Sequence, residues 1–73
     1  MEIKYRVISD DGEVYEPNSI ITSTELVNDY IECLNEVEDK DTITYLHSLI
    51  KNNYHVTAID FIKQMWGLQL EQI

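Results

Sequence analysis

What most narrows the folding options of this chain is one boundary, Ile21-Thr22-Ser23-Thr24-Glu25-Leu26. With Thr22 as N-cap, Glu25 falls at N3, and the two residues satisfy each other's orphan backbone N–H groups in a reciprocal capping box. In the same register Ile21 and Leu26 stand at N′ and N4, where apolar side chains staple the incoming chain to the first turn. Two signals agree on one residue, so a helix starts there. Behind it Leu26, Val27, Tyr30, Cys33, Leu34 and Val37 recur at steps of three and four, predicting an amphipathic helix within residues 23–41 with one buried face.

On the other side of that helix Glu25, Asp29, Glu32 and Glu36 recur at the same steps. Like charges so placed cost an isolated helix a few tenths of a kcal/mol per pair. Glu25 and Asp29 gain from the positive helix N-terminus, whereas Glu36, Glu38 and Asp39 sit at the negative end. Packing must therefore hold the helix. The ordinary reading of this ladder is a solvated face. The functional reading is a surface that meets something basic, with Glu25, Asp29, Glu32, Glu36, Glu38 and Asp39 as its contact groups.

The distribution of charge sharpens that contrast. The net charge of the 73 residues is −9. Residues 25–41 hold Lys40 against Glu25, Asp29, Glu32, Glu36, Glu38, Asp39 and Asp41, a net of −6. Residues 42–73 balance Lys51 and Lys63 against Asp60 and Glu71. Direct binding of nucleic acid or an anionic membrane is disfavoured, because affinity for phosphates comes mainly from Lys and Arg. A basic protein partner is favoured, since a field of this sign speeds encounter with it.

A chain this short reads as one domain that buries only about 60% of its unfolded surface, so association would add stability. The 44% hydrophobic content is too high for a disordered acidic tail. Cys33 is the sole cysteine, which excludes a disulfide framework and suits a reducing cytoplasm; its place in the stripe predicts a buried thiol. No apolar run reaches the roughly 18 residues of a membrane span, and MEIKYRV lacks the pattern of a signal peptide. The expected location is the cytoplasm.

Residues 2–17 read as a hairpin. Ile3, Tyr5 and Val7 alternate, Asp10-Asp11-Gly12 turns, and Glu13-Val14-Tyr15-Glu16-Pro17 returns. A three-residue loop sets Val7 opposite Tyr15 and Arg6 opposite Glu16, whereas a two-residue turn sets Val7 against Glu16; the first sorts apolar from charged. Pro17 ends the strand. The isoleucines of residues 18–21 then reach the core. Residues 38–41 form a charged corner, and Asp41 is the expected N-cap of a helix over 42–51 with Ile43, Leu46, Leu49 and Ile50 inward. Asn52-Asn53 stops it through a left-handed residue. A third helix is predicted over 57–66, with Ile59, Ile62 and Met65 or Trp66 buried and Gly67 at C′; Leu68 to Ile73 begins a fourth turn. The expected class is α+β, an N-terminal β-hairpin packed on three short helices in the order ββααα.

Catalytic chemistry is not encoded in any recognisable pattern. His47 and His55 show no metal-ligand spacing, and His47 beside Ser48 is only a sequence adjacency, since helical neighbours diverge by about 100°. Gly12 and Gly67 have turn and cap roles, which leaves no phosphate-cradling loop. A small hydrolase would need a cleft of about 300 Å³ with a convergent polar group. The expectation is a non-enzyme without metal or cofactor. The aromatics Tyr45, Tyr54, Phe61 and Trp66 do not all fit the inward stripes, and Tyr and Trp are enriched at interface hot spots. Tyr30 and Trp66 are the expected supporting anchors, the alternative for Tyr30 being a place in the core.

Residues 55–73, HVTAIDFIKQMWGLQLEQI, resemble the first helix and turn of the ribosomal stalk protein's C-terminal domain. Val56, Ile59, Ile62, Gly67, Leu68 and Leu70 carry the match, and Lys63 stands where a basic residue is usual. Asp60, Trp66 and Gln69 depart from the pattern. That resemblance implies a helix–turn–helix corner and no function, because the family's basic face is largely missing. In general character the short, acidic, aromatic-rich chain also looks like small phage-encoded inhibitors of the anti-CRISPR and anti-restriction kind. Several of those place carboxylates where phosphates would lie, and a four-residue step of about 6 Å along a helix is comparable with the phosphate spacing of one strand. The functional expectation is a phage or mobile-element inhibitor that occupies the nucleic-acid-binding or defence surface of a basic host protein. The alternative is a self-associating structural or adaptor protein, a homodimer built on the 26–37 stripe.

Overall fold

A computed structural model describes residues 2–73. Its elements run β1 (Lys4–Asp10), β2 (Ile20–Thr22), α1 (Ser23–Glu36), α2 (Lys40–Lys51), α3 (His55–Trp66) and β3 (Leu68–Gln72). The class is α+β, with a three-stranded antiparallel sheet in the order β2-β1-β3. β1 lies in the middle because both of its edges are taken. Lys4, Tyr5 and Arg6 pair with Thr22, Ile21 and Ile20, and Tyr5, Arg6 and Val7 pair with Gln72, Glu71 and Leu70. A bulge at Ile8 shifts the β1–β3 register before Asp10 meets Leu68.

The alternation of β1 buries Tyr5 and Val7 against the helices and leaves Lys4, Arg6 and Ile8 on the uncovered face. Ile21 and Leu68 extend the buried side on the two flanking strands. Against it pack Leu26, Val27, Tyr30 and Leu34 from α1, Leu46 from α2, and Ala58, Ile59 and Ile62 from α3. Each of the larger side chains removed from water contributes about 1.5–3 kcal/mol. Tyr45, Phe61, Tyr30, Trp66 and Tyr15 form a chain of tilted and edge-on ring contacts, 4.9 Å at its closest between Tyr30 and Trp66. These rings bridge α1, α2, α3 and the loop after β1, a geometry in which ring edges meet ring faces.

α1 starts where the sequence predicts, but with only the Thr22 half of the capping box: among the described residues the Glu25 side chain makes no return bond to the Thr22 N–H. Thr22 accepts the Glu25 N–H at 3.1 Å, and Ile21 and Leu26 are both buried. Gly67 ends α3 in the left-handed conformation (φ 63°), and Asn53 (φ 63°) is the left-handed residue after α2. Other expectations are corrected. Residues 13–17 form no strand, and the partner of β1 in the N-terminal hairpin is β2. The cause is Asp10, whose carboxylate accepts the N–H groups of Gly12, Val14 and Tyr15 and curls the chain instead of extending it. Ile20 lies on the exposed face of β2, so only one isoleucine of that pair reaches the core.

Leu68 to Gln72 is a strand and not a helical turn, which replaces the second helix of the stalk-like corner and makes the order ββαααβ. The N-cap of α2 is Asp39, whose Oδ1 accepts the Thr42 N–H at 3.1 Å, so this helix begins two residues early. α3 likewise begins at His55. Of the apolar side chains on α2 only Leu46 is fully buried, with Ile43, Leu49 and Ile50 half-buried. Met65 is exposed and Trp66 is half-buried.

Gly67 is tightly specified. A Cβ there would stand 2.9 Å from Asp11 Oδ2, on a backbone that L residues rarely adopt. Gly67→Ala is expected to cost about 1–2 kcal/mol, read as a lower denaturant midpoint at unchanged slope.

Candidate binding surface

At about 100° per residue, Glu25, Asp29, Glu32 and Glu36 fall within about 60° of arc on α1, opposite the buried side chains. Glu25, Glu32 and Glu36 are exposed and Asp29 is half-buried. Among the described residues the only salt bridge is Arg6 Nη2 to Glu71 Oε2 at 2.6 Å, on the far face of the sheet. The ladder is therefore coherent and carries no internal counter-ion.

The remaining expected contact groups fare differently. Glu38 is exposed in the α1–α2 turn, in a left-handed conformation (φ 58°). Asp39 is occupied in capping α2, since besides the Thr42 N–H its Oδ2 accepts the Thr42 hydroxyl at 2.8 Å. Tyr30 is 5% exposed and belongs to the core, not to the partner-facing surface: the α1 stripe points it between Phe61 and Trp66. Trp66 is partly buried, packed against Tyr15 and Tyr30. Cys33 is exposed, not buried, because it lies at the edge of the stripe where no helix covers α1. Val37 is 71% exposed at the C-cap, beyond the last packed turn.

A second acidic segment joins the ladder. Tyr15, half-buried, donates its hydroxyl to Asp29 Oδ2 at 2.6 Å and leans on Trp66. That bond fastens the loop carrying Asp11, Glu13 and Glu16 beside α1. The loop's role was hidden by its apparent strand alternation; the signal for it was Asp10 followed by Asp-Gly, a side chain placed to collect the next free amides.

Burial, and then the hydrogen bond and charge of Asp29, push the Tyr15 hydroxyl far above the ordinary tyrosine value of 10.0. Burial also raises Tyr5, with the charge of Asp60, and Tyr30, with that of Asp39. Below pH 10 these groups are protonated in folded and unfolded chains alike. Above it the unfolded chain loses protons that the native one keeps, so stability falls as pH rises. The denaturant midpoint is expected to drop between about pH 9 and about pH 11, less steeply in Tyr15→Phe.

Two hollows share His55 in their lining. One of about 100 Å³ lies between Ser23, Val27, Ile50 and Ile59, and one of about 310 Å³ between Ile3, Tyr54, Val56 and Thr57. Ser23, buried there, accepts the Ile3 N–H at 3.0 Å. No group of three or more His, Cys, Asp or Glu side chains is placed to hold a metal ion among the described residues. No helix of the described residues is long and apolar enough to cross a membrane. Comparison with protein-family descriptions, with curated proteins and with solved structures gives no match to this chain.

Proposed function

We propose that the protein is a non-enzymatic binding module whose acidic surface occupies a basic, nucleic-acid-binding surface of a host protein, as an inhibitor encoded by a phage or mobile element. The observation that carries this reading is the unpaired α1 ladder, Glu25, Asp29, Glu32 and Glu36, with the acidic loop after β1 fastened beside it through Tyr15 and Asp29. Carboxylates spaced along a rigid rod, without counter-ions of their own, lose little on meeting cations and steer them on approach. Glu38 and the exposed part of Trp66 border this surface, while Tyr30 and Asp39 hold it from within.

The reading is tested by capture from lysate of the native host at low and at raised salt. A basic partner retained at about 50 mM salt is expected to be released by about 300 mM, because exposed charges are screened over roughly a Debye length. Replacing Glu32 and Glu36 together by Gln is expected to weaken binding about tenfold or more. Retention unchanged by salt and by both substitutions would eliminate a charge-led interface.

A further inference from the structure

β3 is an open sheet edge whose backbone phase is fixed. Ile73 donates its N–H to the Lys4 carbonyl at 3.0 Å, and Asp11 donates to the Gly67 carbonyl at 3.3 Å. In an antiparallel ladder alternate residues face the same neighbour, so Gln69 and Glu71 also turn their backbone groups to β1. Leu70 and Gln72 turn theirs outward, and neither makes a backbone hydrogen bond beyond the sheet among the described residues.

We propose that two copies of this chain pair through β3, antiparallel about a two-fold axis at Leu70, into one sheet ordered β2-β1-β3-β3-β1-β2. The register follows from the phase. Leu70 opposes its own copy and Gln72 opposes Leu68, so outward N–H and C=O groups meet each other across the axis. On the helix side, half-buried Leu70 gains its copy as a neighbour beside buried Leu68. On the uncovered side Gln69 opposes Glu71, whose charge is already met by Arg6 at 2.6 Å. An axis at Glu71 would set like carboxylates face to face and aim inward-bonded groups at the partner.

Edge and charge both favour this flank. β3 carries no proline, lysine or bulge of the kind that blunts a free edge, whereas β2 has three residues and runs directly into α1. A net charge of −9 opposes self-association. However, α3 packs over β3, and residues 55–73 hold only Asp60 and Glu71 against Lys63. Pairing there joins flanks whose own strand and helix hold little charge, with Asp11 beside Gly67 the nearest further carboxylate, and it leaves β2 and its contacts with α1 out of the seam.

Sedimentation equilibrium over a concentration series tests this, with the mass expected to climb from 8.6 kDa toward twice that value. Gln69→Glu places carboxylates opposite Glu71 of each copy and is expected to return the protein to monomer; Gln69→Lys is expected to tighten the dimer. Gln72→Pro removes an outward donor while sparing the bonds to β1, and is expected to weaken pairing about tenfold or more. Asn35→Asp, with the same added charge on α1, is expected to leave the dimer in place. A wild-type mass that stays at the monomer up to millimolar concentration would overturn the proposal. So would a dimer that tolerates both Gln69→Glu and Gln72→Pro.

Discussion

Leu26→Ala is expected to leave most of the protein unfolded at physiological temperature. Leu26 is fully buried at the point where α1 meets the sheet. Truncating such a leucine loses transfer free energy and leaves a cavity, together about 3–5 kcal/mol. A chain of this size has a total stability of only about 4–11 kcal/mol. Val37→Ala, which alters the same sequence stripe at an exposed position, is expected to stay within about 0.5 kcal/mol of wild type. Thermal melts followed by circular dichroism check both, and equal effects would mean that the stripe is not packed as described.

The second large effect is expected at Asp10. One carboxylate accepts three backbone N–H groups, at 2.9 Å from Gly12 and 2.8 Å from both Val14 and Tyr15. Hydrogen bonds to a charged acceptor are each worth about 1.5–3 kcal/mol when protected, and solvent at this half-exposed site returns a large part. Asp10→Ala is therefore expected to cost about 2–3 kcal/mol, a fall in Tm of about 8–20 °C for a domain of this size. Hydrogen exchange adds a local signature, with the amides of Val14 and Tyr15 losing protection before those of α1. If the loop unfastens, Tyr15 leaves Asp29 and the acidic surface loses one of its two walls.

The sequence disclosed those features whose causes lie within a few residues of one another. Thr22, Glu25, Ile21 and Leu26 announced α1 because a cap is a local contract between side chain and backbone. Gly67 and the Asn52-Asn53 pair announced helix ends for the same reason. Leu68 to Gln72 reads equally as a strand or a helical turn, because five residues carry too little period to separate the two. Its strand character depends on Tyr5, Arg6 and Val7, more than sixty positions away. Between Asp39 and Asp41, both fit to cap α2, only the path of the α1–α2 turn decides. The acid ladder on α1 was visible from spacing alone. The loop that joins it was not, since Tyr15 and Asp29 lie 14 residues apart and nothing local encodes their bond.

A central strand taken from the start of the chain, and flanked by one from its far end, also governs the order of assembly. β1 and β2 can close as a hairpin and α1 can dock while synthesis is still under way. The sheet stays one strand short until α2 and α3 have been made and Gln72 is in reach of Tyr5. Contacts of such long sequence separation pay their loop-closure entropy late, and they set a slow tempo for so small a protein. Until then β1 travels with one side bare, and a nascent chain in that state is the form most exposed to unwanted strand partners.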